Sequence, residues 1–243
     1  MISVCITTHN GEQYIKQQLD SVLEQIGTSD EIIVSDDDST DNTLSIIAAY
    51  NDHRIKVLHH DSNSVATTFP LDRPTRNFEH ALYHARGDII FLCDQDDLWL
   101  QGKVKVMTDA LKHYDLAVHN CTIVNEQIEP IIPSYFDFIG VHKGAIRNAI
   151  KATYLGCCMA MRREVVEAAL PFPKTKVGHD LWLGIVADLK FRTVLIWQPL
   201  IFYRKHEQSM TTSGFRSSYS LWFKISYRLT VFRELIKKWI ELH

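Results

Sequence analysis

Short apolar runs and stretches with apolar positions three and four residues apart alternate along the first hundred residues of this chain. The run over 2–7 predicts a strand, ended by the polar Thr8-His9-Asn10-Gly11, and Ile15, Leu19, Val22, Leu23 and Ile26 then predict a helix over 13–25. The unit recurs. A strand over 31–35 leads through Asp36-Asp37-Asp38-Ser39-Thr40-Asp41, rich in N-capping side chains, into a helix over 42–50 and a strand over 54–59. A polar, proline-containing loop over 61–74 precedes a helix over 77–85, stopped by Gly87, and a central strand over 88–93. Such alternation predicts an α/β fold with a mostly parallel sheet covered on both faces.

The second half is less regular. Strands are predicted over 116–124, 154–161 and 191–197 and helices over 163–170 and 179–189, whereas 130–144, with Tyr135, Phe136 and Phe138, reads as a loop. One domain is expected over 1–214, in halves 1–100 and 101–214. From 215 to 243 the composition shifts: Leu221, Trp222, Ile225, Leu229, Phe232, Ile236, Trp239 and Ile240 make one apolar stripe. Arg216, Lys224, Arg228, Arg233, Lys237 and Lys238 outnumber Glu234 and Glu241 around it. That pattern fits a helix lying on an anionic membrane; packing on the domain or against a dimer partner is the alternative.

Composition narrows the classes. At 243 residues and 46% hydrophobic content the chain can bury a full core, and a formal net charge of −3 gives no general attraction to nucleic acid. Cys5, Cys93, Cys121, Cys157 and Cys158 form no CxxC pair. The amino terminus has no basic segment before an apolar stretch, and no run approaches the roughly 18 apolar residues of a spanning helix. A reduced, cytoplasmic protein is therefore expected, peripheral on the inner face of the membrane if the tail binds there.

The stretch FLCDQDDLW, residues 91–99, crowds Asp94, Asp96 and Asp97 at the end of a buried strand, where like charges repel and desolvation is costly. A counter-charge is needed. Ligands of open α/β sheets bind beyond the carboxyl ends of the strands, so 7–10, 36–38 and 94–97 are expected on one rim. Asp94 and Asp96, spaced i, i+2, are hard oxygen ligands suited to Mg²⁺ or Mn²⁺ delivered with a diphosphate. An EF-hand is excluded because Trp99 and Asp41 stand where its sixth-position glycine belongs, and neither GxGxxG nor a P-loop is present.

In this order, ITTHNGEQYI, EIIVSDDDSTDNT, RNFEHAL, GDIIFLCDQDDLW, LGCCMAMRR, GHDLWL and YRKHEQS resemble the motif series of bacterial family 2 glycosyltransferases, especially rhamnosyltransferases of surface-polysaccharide assembly. The resemblance implies a GT-A fold whose first half binds a nucleotide sugar, a divalent metal, and inverting transfer to a glycan or a polyprenyl-diphosphate-linked acceptor. It places Thr7, Thr8, Asn10 and Asp37 on the donor nucleoside, dTDP- or UDP-linked, and Asp94 near the ribose. It assigns the metal to Asp94, Asp96 and His206. Asp180 becomes the general base, with His179 beside it, while Arg76 either approaches the sugar and phosphates or forms a surface ion pair. Two departures stand out: Asp38 occupies a position where the family usually has glycine, and Glu207-Gln208-Ser209 follows His206. An Asp-dependent phosphohydrolase and a non-catalytic sugar-binding module are the competing classes. The first would place its acids after the first strand, which here ends in Thr-Thr-His-Asn.

Overall fold

The computed structural model describes residues 1–61, 71–175, 177–205 and 220–242. Four strands, β1 (Ile2–Thr8), β2 (Glu31–Asp36), β3 (Ile55–His59) and β4 (Ile89–Asp94), run parallel in the order β3-β2-β1-β4. They are joined by α1 (Ile15–Leu23), α2 (Thr43–Ala48) and α3 (Asp72–His84). Periodicity explains the packing. Ile15, Leu19 and Val22 recur on one face of α1 and are fully buried, each contributing about 1.5–3 kcal/mol relative to exposure. Every residue of β2 is buried, as expected of a parallel strand covered on both faces.

The sheet continues through β8 (Met159–Arg162), β6 (Leu116–Val124), β9 (Thr193–Arg204) and the short β5 (Leu98–Trp99), with β7 (Pro130–Ile132) paired to β6. Here it is mixed: β8 is antiparallel to both β4 and β6, whereas β9 is parallel to β6. The result is an α/β sheet flanked by helices.

Several boundaries differ from the sequence reading. Residues 130–144 are not a plain loop but contain β7 and α5 (Tyr135–Ile139), because Tyr135, Phe136 and Ile139 are buried against the sheet. Asn120, at an irregularity of β6, fastens this segment: its Nδ2 donates to Ser134 Oγ (2.8 Å) and its Oδ1 accepts from Phe136 N (2.9 Å). The strand expected over 154–161 begins only at Met159, after a 3₁₀ turn over Gly156–Cys158. Helices α4 (Lys103–Ala110) and α6 (Ala145–Ile150) were not announced by the pattern, while α7 (Arg163–Ala169) and α8 (His179–Lys190) were. Helix α3 starts five residues earlier than expected, with Pro74 in its first turn, where a missing N–H costs nothing.

The tail forms α9 (Leu221–Leu242), which docks through Val231, Glu234, Leu235 and Lys238, while its apolar stripe, apart from the partly buried Phe232, faces away from the domain. Among the described residues no helix is long and apolar enough to cross a membrane.

At the sheet edge opposite the strand carboxyl ends, Glu31 is buried and accepts from Ser3 Oγ (2.7 Å) and Arg86 N (2.7 Å), with Lys56 paired to its second oxygen. Burial alone pushes its carboxyl up, but these donors together hold it below the ordinary value. Glu31→Ala strands several buried donors, so urea denaturation should show a loss of about 3 kcal/mol. Because the folded-state value is depressed, the contribution of Glu31 is present above the usual carboxylate range and fades as pH falls through the lowered value.

Candidate active site

Strand register builds the rim. Thr7 lies beside Asp94 across β1 and β4, and Thr8 beside Asp36 across β1 and β2. Thr8 Oγ1 donates to Asp36 Oδ1 (2.8 Å), and Asp36 also accepts from Ser39 N (2.9 Å), fixing the loop after β2. Asp38 takes a left-handed φ of 55°, the conformation a glycine would adopt freely, so the turn survives with an added charge. Asn10, also left-handed at φ 49°, accepts from Thr40 N (2.8 Å) and braces the two loops. Gln95 Oε1 accepts from His9 N (2.9 Å); a Cβ at Gly11 would lie 2.3 Å from that oxygen, so a side chain there would push Gln95 off this hydrogen bond.

These loops open onto a cavity of about 540 Å³. It is lined by Thr7, Thr8, Asn10, Asp37, Asp94 and Asp96 from the first half and by Leu155, Gly156, Cys157, His179, Asp180 and Tyr203 from the second. Asp37 is buried at the cavity wall, with His60 Nδ1 at hydrogen-bond distance (3.1 Å) and Arg73 ion-paired to it (3.2 Å).

The acids after β4 occupy distinct environments. Asp94 is pushed up to about 7, first by burial and then by the charges of Asp96 and Asp180. Asp97, almost fully buried, is raised well above the ordinary range by burial and the same neighbours, and its Oδ2 has no hydrogen-bond partner. Two cations stand behind them. Lys103 is fully buried, donates to Cys157 O (2.9 Å) and lies 4.2 Å from the Trp99 ring. Arg204 donates from Nε to Asp96 O (3.0 Å) and from its backbone N to Asp97 Oδ1 (3.2 Å). Even so, Asp94 stays raised, so these cations do not neutralise the cluster. The carboxyl oxygens of Asp94 and Asp97 and Cys157 Sγ lie within 4.8 Å of one another. Asp94 and Asp97 offer hard carboxylate oxygens, one of them orphaned, that fit a divalent cation, and Cys157 a softer thiol; Asp96, expected as a ligand with Asp94, lines the same cavity but lies outside this close group.

Asp180 sits in the first turn of α8, where the helix dipole favours an anion, and its Oδ1 accepts from Leu181 N (2.7 Å). His179 packs on Phe78 (4.2 Å between ring centroids), its backbone N donates to Thr75 Oγ1 (3.2 Å), and desolvation lowers its imidazole below the ordinary value.

The structure therefore brings Thr7, Thr8, Asn10, Asp37, Asp94, Asp96 and Asp180 to one cavity. Arg76 is not among the lining residues: its guanidinium donates to Glu79 (2.6 Å) and to Pro173 O (2.6 Å), the ion-pair alternative. The reason is helical phase. Arg73 and Asn77, four residues apart on α3, share the face toward the cavity, and Arg76 points elsewhere. Starting α3 at Asp72 rather than Asn77 would have revealed that face in the sequence. Lys103 and Cys157 carried no such signal, since nothing local marks a lysine destined for burial. His206 lies outside the described residues.

A profile described as glycosyl transferase family 2 matches residues 3–170. The chain belongs to that family. It is 32% identical to the dTDP-rhamnosyl transferase RfbG of Shigella flexneri over 88% of this chain and 76% of the relative. It is 26% identical to the UDP-Glc:α-D-GlcNAc-diphosphoundecaprenol β-1,3-glucosyltransferase WfgD of Escherichia coli over 91% of this chain and 84% of the relative. The structure of S. aureus TarS 1–349 in complex with UDP-GlcNAc superposes with a TM-score of 0.69 at 21% identity, covering 99% of this chain and 71% of that one. The GT-A-type fold is shared with it.

Gly156 tests the geometry of this family 2 glycosyltransferase. A Cβ there would lie 2.7 Å from His179 Nε2 and 3.7 Å from Asp180 Cβ. Gly156→Ala should shift the start of α8 and lower sugar transfer by roughly 10–100-fold, while circular dichroism shows an unchanged fold.

Proposed function

We propose that the protein is a metal-dependent, inverting glycosyltransferase that moves a sugar from a pyrimidine nucleotide donor to a hydroxyl of a lipid-linked glycan in cell-surface polysaccharide synthesis. The observation that carries this reading is the convergence of Asp37, Asp94, Asp96 and Asp180, from two halves of the chain, on one cavity. The names of RfbG and WfgD support a dTDP-rhamnose or UDP-hexose donor and a polyprenyl-diphosphate-linked acceptor for this chain as well.

In the proposed complex Asp37 accepts the imide N–H that uracil and thymine both present, its orientation set by Arg73 and His60. Asp94 and Asp96 would hold Mg²⁺ or Mn²⁺, which supplies positive charge against the diphosphate as it leaves. Asp180 accepts the proton of the acceptor hydroxyl as that oxygen attacks the anomeric carbon, and a single displacement of this kind inverts the centre. The hydrogen bond from Leu181 N orients the carboxylate, and the start of α8 favours its anionic form. Leu155, Gly156 and Tyr203 close the sugar side of the cavity, where a few contacts of about 1–3 kcal/mol each select the hexose.

Isothermal titration with UDP and dTDP, each with and without Mn²⁺, tests the donor site. Binding of one nucleotide only when metal is present is expected, and Asp96→Asn should abolish that metal dependence. Absence of binding by the folded protein under all four conditions would end the reading. Asp180→Asn should leave donor affinity within about twofold and reduce turnover roughly 10²–10⁴-fold; unchanged turnover would remove Asp180 from the base role.

A further inference from the structure

Helix α9 has two faces that do different things. Val231, Glu234, Leu235 and Lys238 are buried against the domain, and Tyr227, hydrogen-bonded to the Gly178 backbone, reaches the segment that carries Asp180. On the other side Trp222, Ile225, Leu229, Ile236, Trp239 and Ile240 are exposed, Trp222 by 82% and Leu229 by 66%. At about 100° per residue these six positions fall within roughly a quarter to a third of the circumference, away from the docked face. Helix α6 packs beside α9 and adds Ile146 and Ile150, both more than half exposed, to the same neighbourhood, where Arg228 Nε donates to Ile150 O (2.8 Å).

We infer that this stripe is a docking surface for an anionic lipid bilayer, with α9 lying in the headgroup plane. Charge decides between lipid and a second copy of the chain. Arg228 borders the stripe on one side and Arg233 and Lys237 on the other, where Glu234 pairs with both and leaves that edge net positive, so cationic charge lines both edges. Two copies joined face to face would bring these cationic borders together. A leaflet of anionic headgroups meets them with opposite charge, and tryptophans near both ends of the helix suit the boundary between headgroups and acyl chains. Because Tyr227 ties α9 to Gly178, docking would also hold the acceptor side of the cavity toward the membrane; that consequence rests on the lipid-linked acceptor proposed above, whereas the surface itself does not.

Flotation of the full chain with vesicles of phosphatidylcholine, alone or with roughly a third phosphatidylglycerol, tests the surface. The wild type is expected to float with the anionic vesicles and not with the neutral ones, and to be released by high salt. Trp222→Glu with Leu229→Glu, at exposed positions, should lower the bound fraction at least about tenfold, while thermal unfolding and nucleotide titration stay as in the wild type. Arg228→Gln with Lys237→Gln should weaken binding to anionic vesicles selectively. Sedimentation velocity supplies the opposing result: a wild-type dimer that Leu229→Glu makes monomeric, with no flotation of either protein, assigns the face to a second copy and overturns the inference. No flotation from a monomer overturns it as well. Flotation without nucleotide binding would leave the surface standing and remove the proposed activity, so the two failures are separable.

Discussion

Carboxylates held at the end of a buried strand repel one another, and much of the second half of the chain is arranged around that repulsion. Asp94 and Asp96 leave β4 half-buried at the cavity wall, and Asp97 is buried behind them, so water screens their charges only in part. Lys103 from α4, Arg204 from the end of β9 and the Cys157 thiol from the 3₁₀ turn all converge there. Each comes from a different element, and none comes from the strand that carries the acids. The compensation is partial: burial and the charges of Asp96 and Asp180 still hold Asp94 raised to about 7. A hydrophobic replacement of Lys103 would pack comparably but leave the acids without their buried counter-charge.

The same cluster explains why the sheet changes character halfway across. Four parallel strands deliver their polar loops to one rim, which by itself forms only one side of the cavity. The antiparallel β8 turns the chain back so that Leu155, Gly156 and Cys157 precede it at the cavity, and α8 starts with Asp180 facing the acids of β4. The influence of Asp180 on Asp94 is the electrostatic trace of that approach. Glycine at 156 is demanded by the contact itself, since His179 occupies the space a side chain would need.

Legibility followed the range of the interactions involved. The strands of the first half were plain because parallel strands covered on both faces are apolar runs, and the loops after them were plain because the chain needs capping and turn residues there. Asp38 was readable as a left-handed position, and its φ of 55° agrees. Helix α5 was hidden because its apolar residues are few and its place depends on Asn120, a buried amide on another element. Arg73 was hidden because the polar, proline-containing stretch over 61–74 reads as a loop, although Arg73 lies in the first turn of α3, one turn before Asn77 on the same face; Arg76 stood out only through its motif.

The tail divides the two kinds of information most clearly. Its sequence determined a helix with an apolar stripe bordered by cations, since periodicity and charge are local properties of the chain. Which face would meet the domain was decided by tertiary packing, and the less regular one, with Val231 and Leu235 among charged neighbours, is the one buried. Likewise the sequence by itself determined the acids, their strand-end positions and the family to which their order belongs. Only the folded structure decided which residues surround them, because burying Lys103 or bringing Asp180 to Asp94 requires contacts between segments that sequence spacing does not encode.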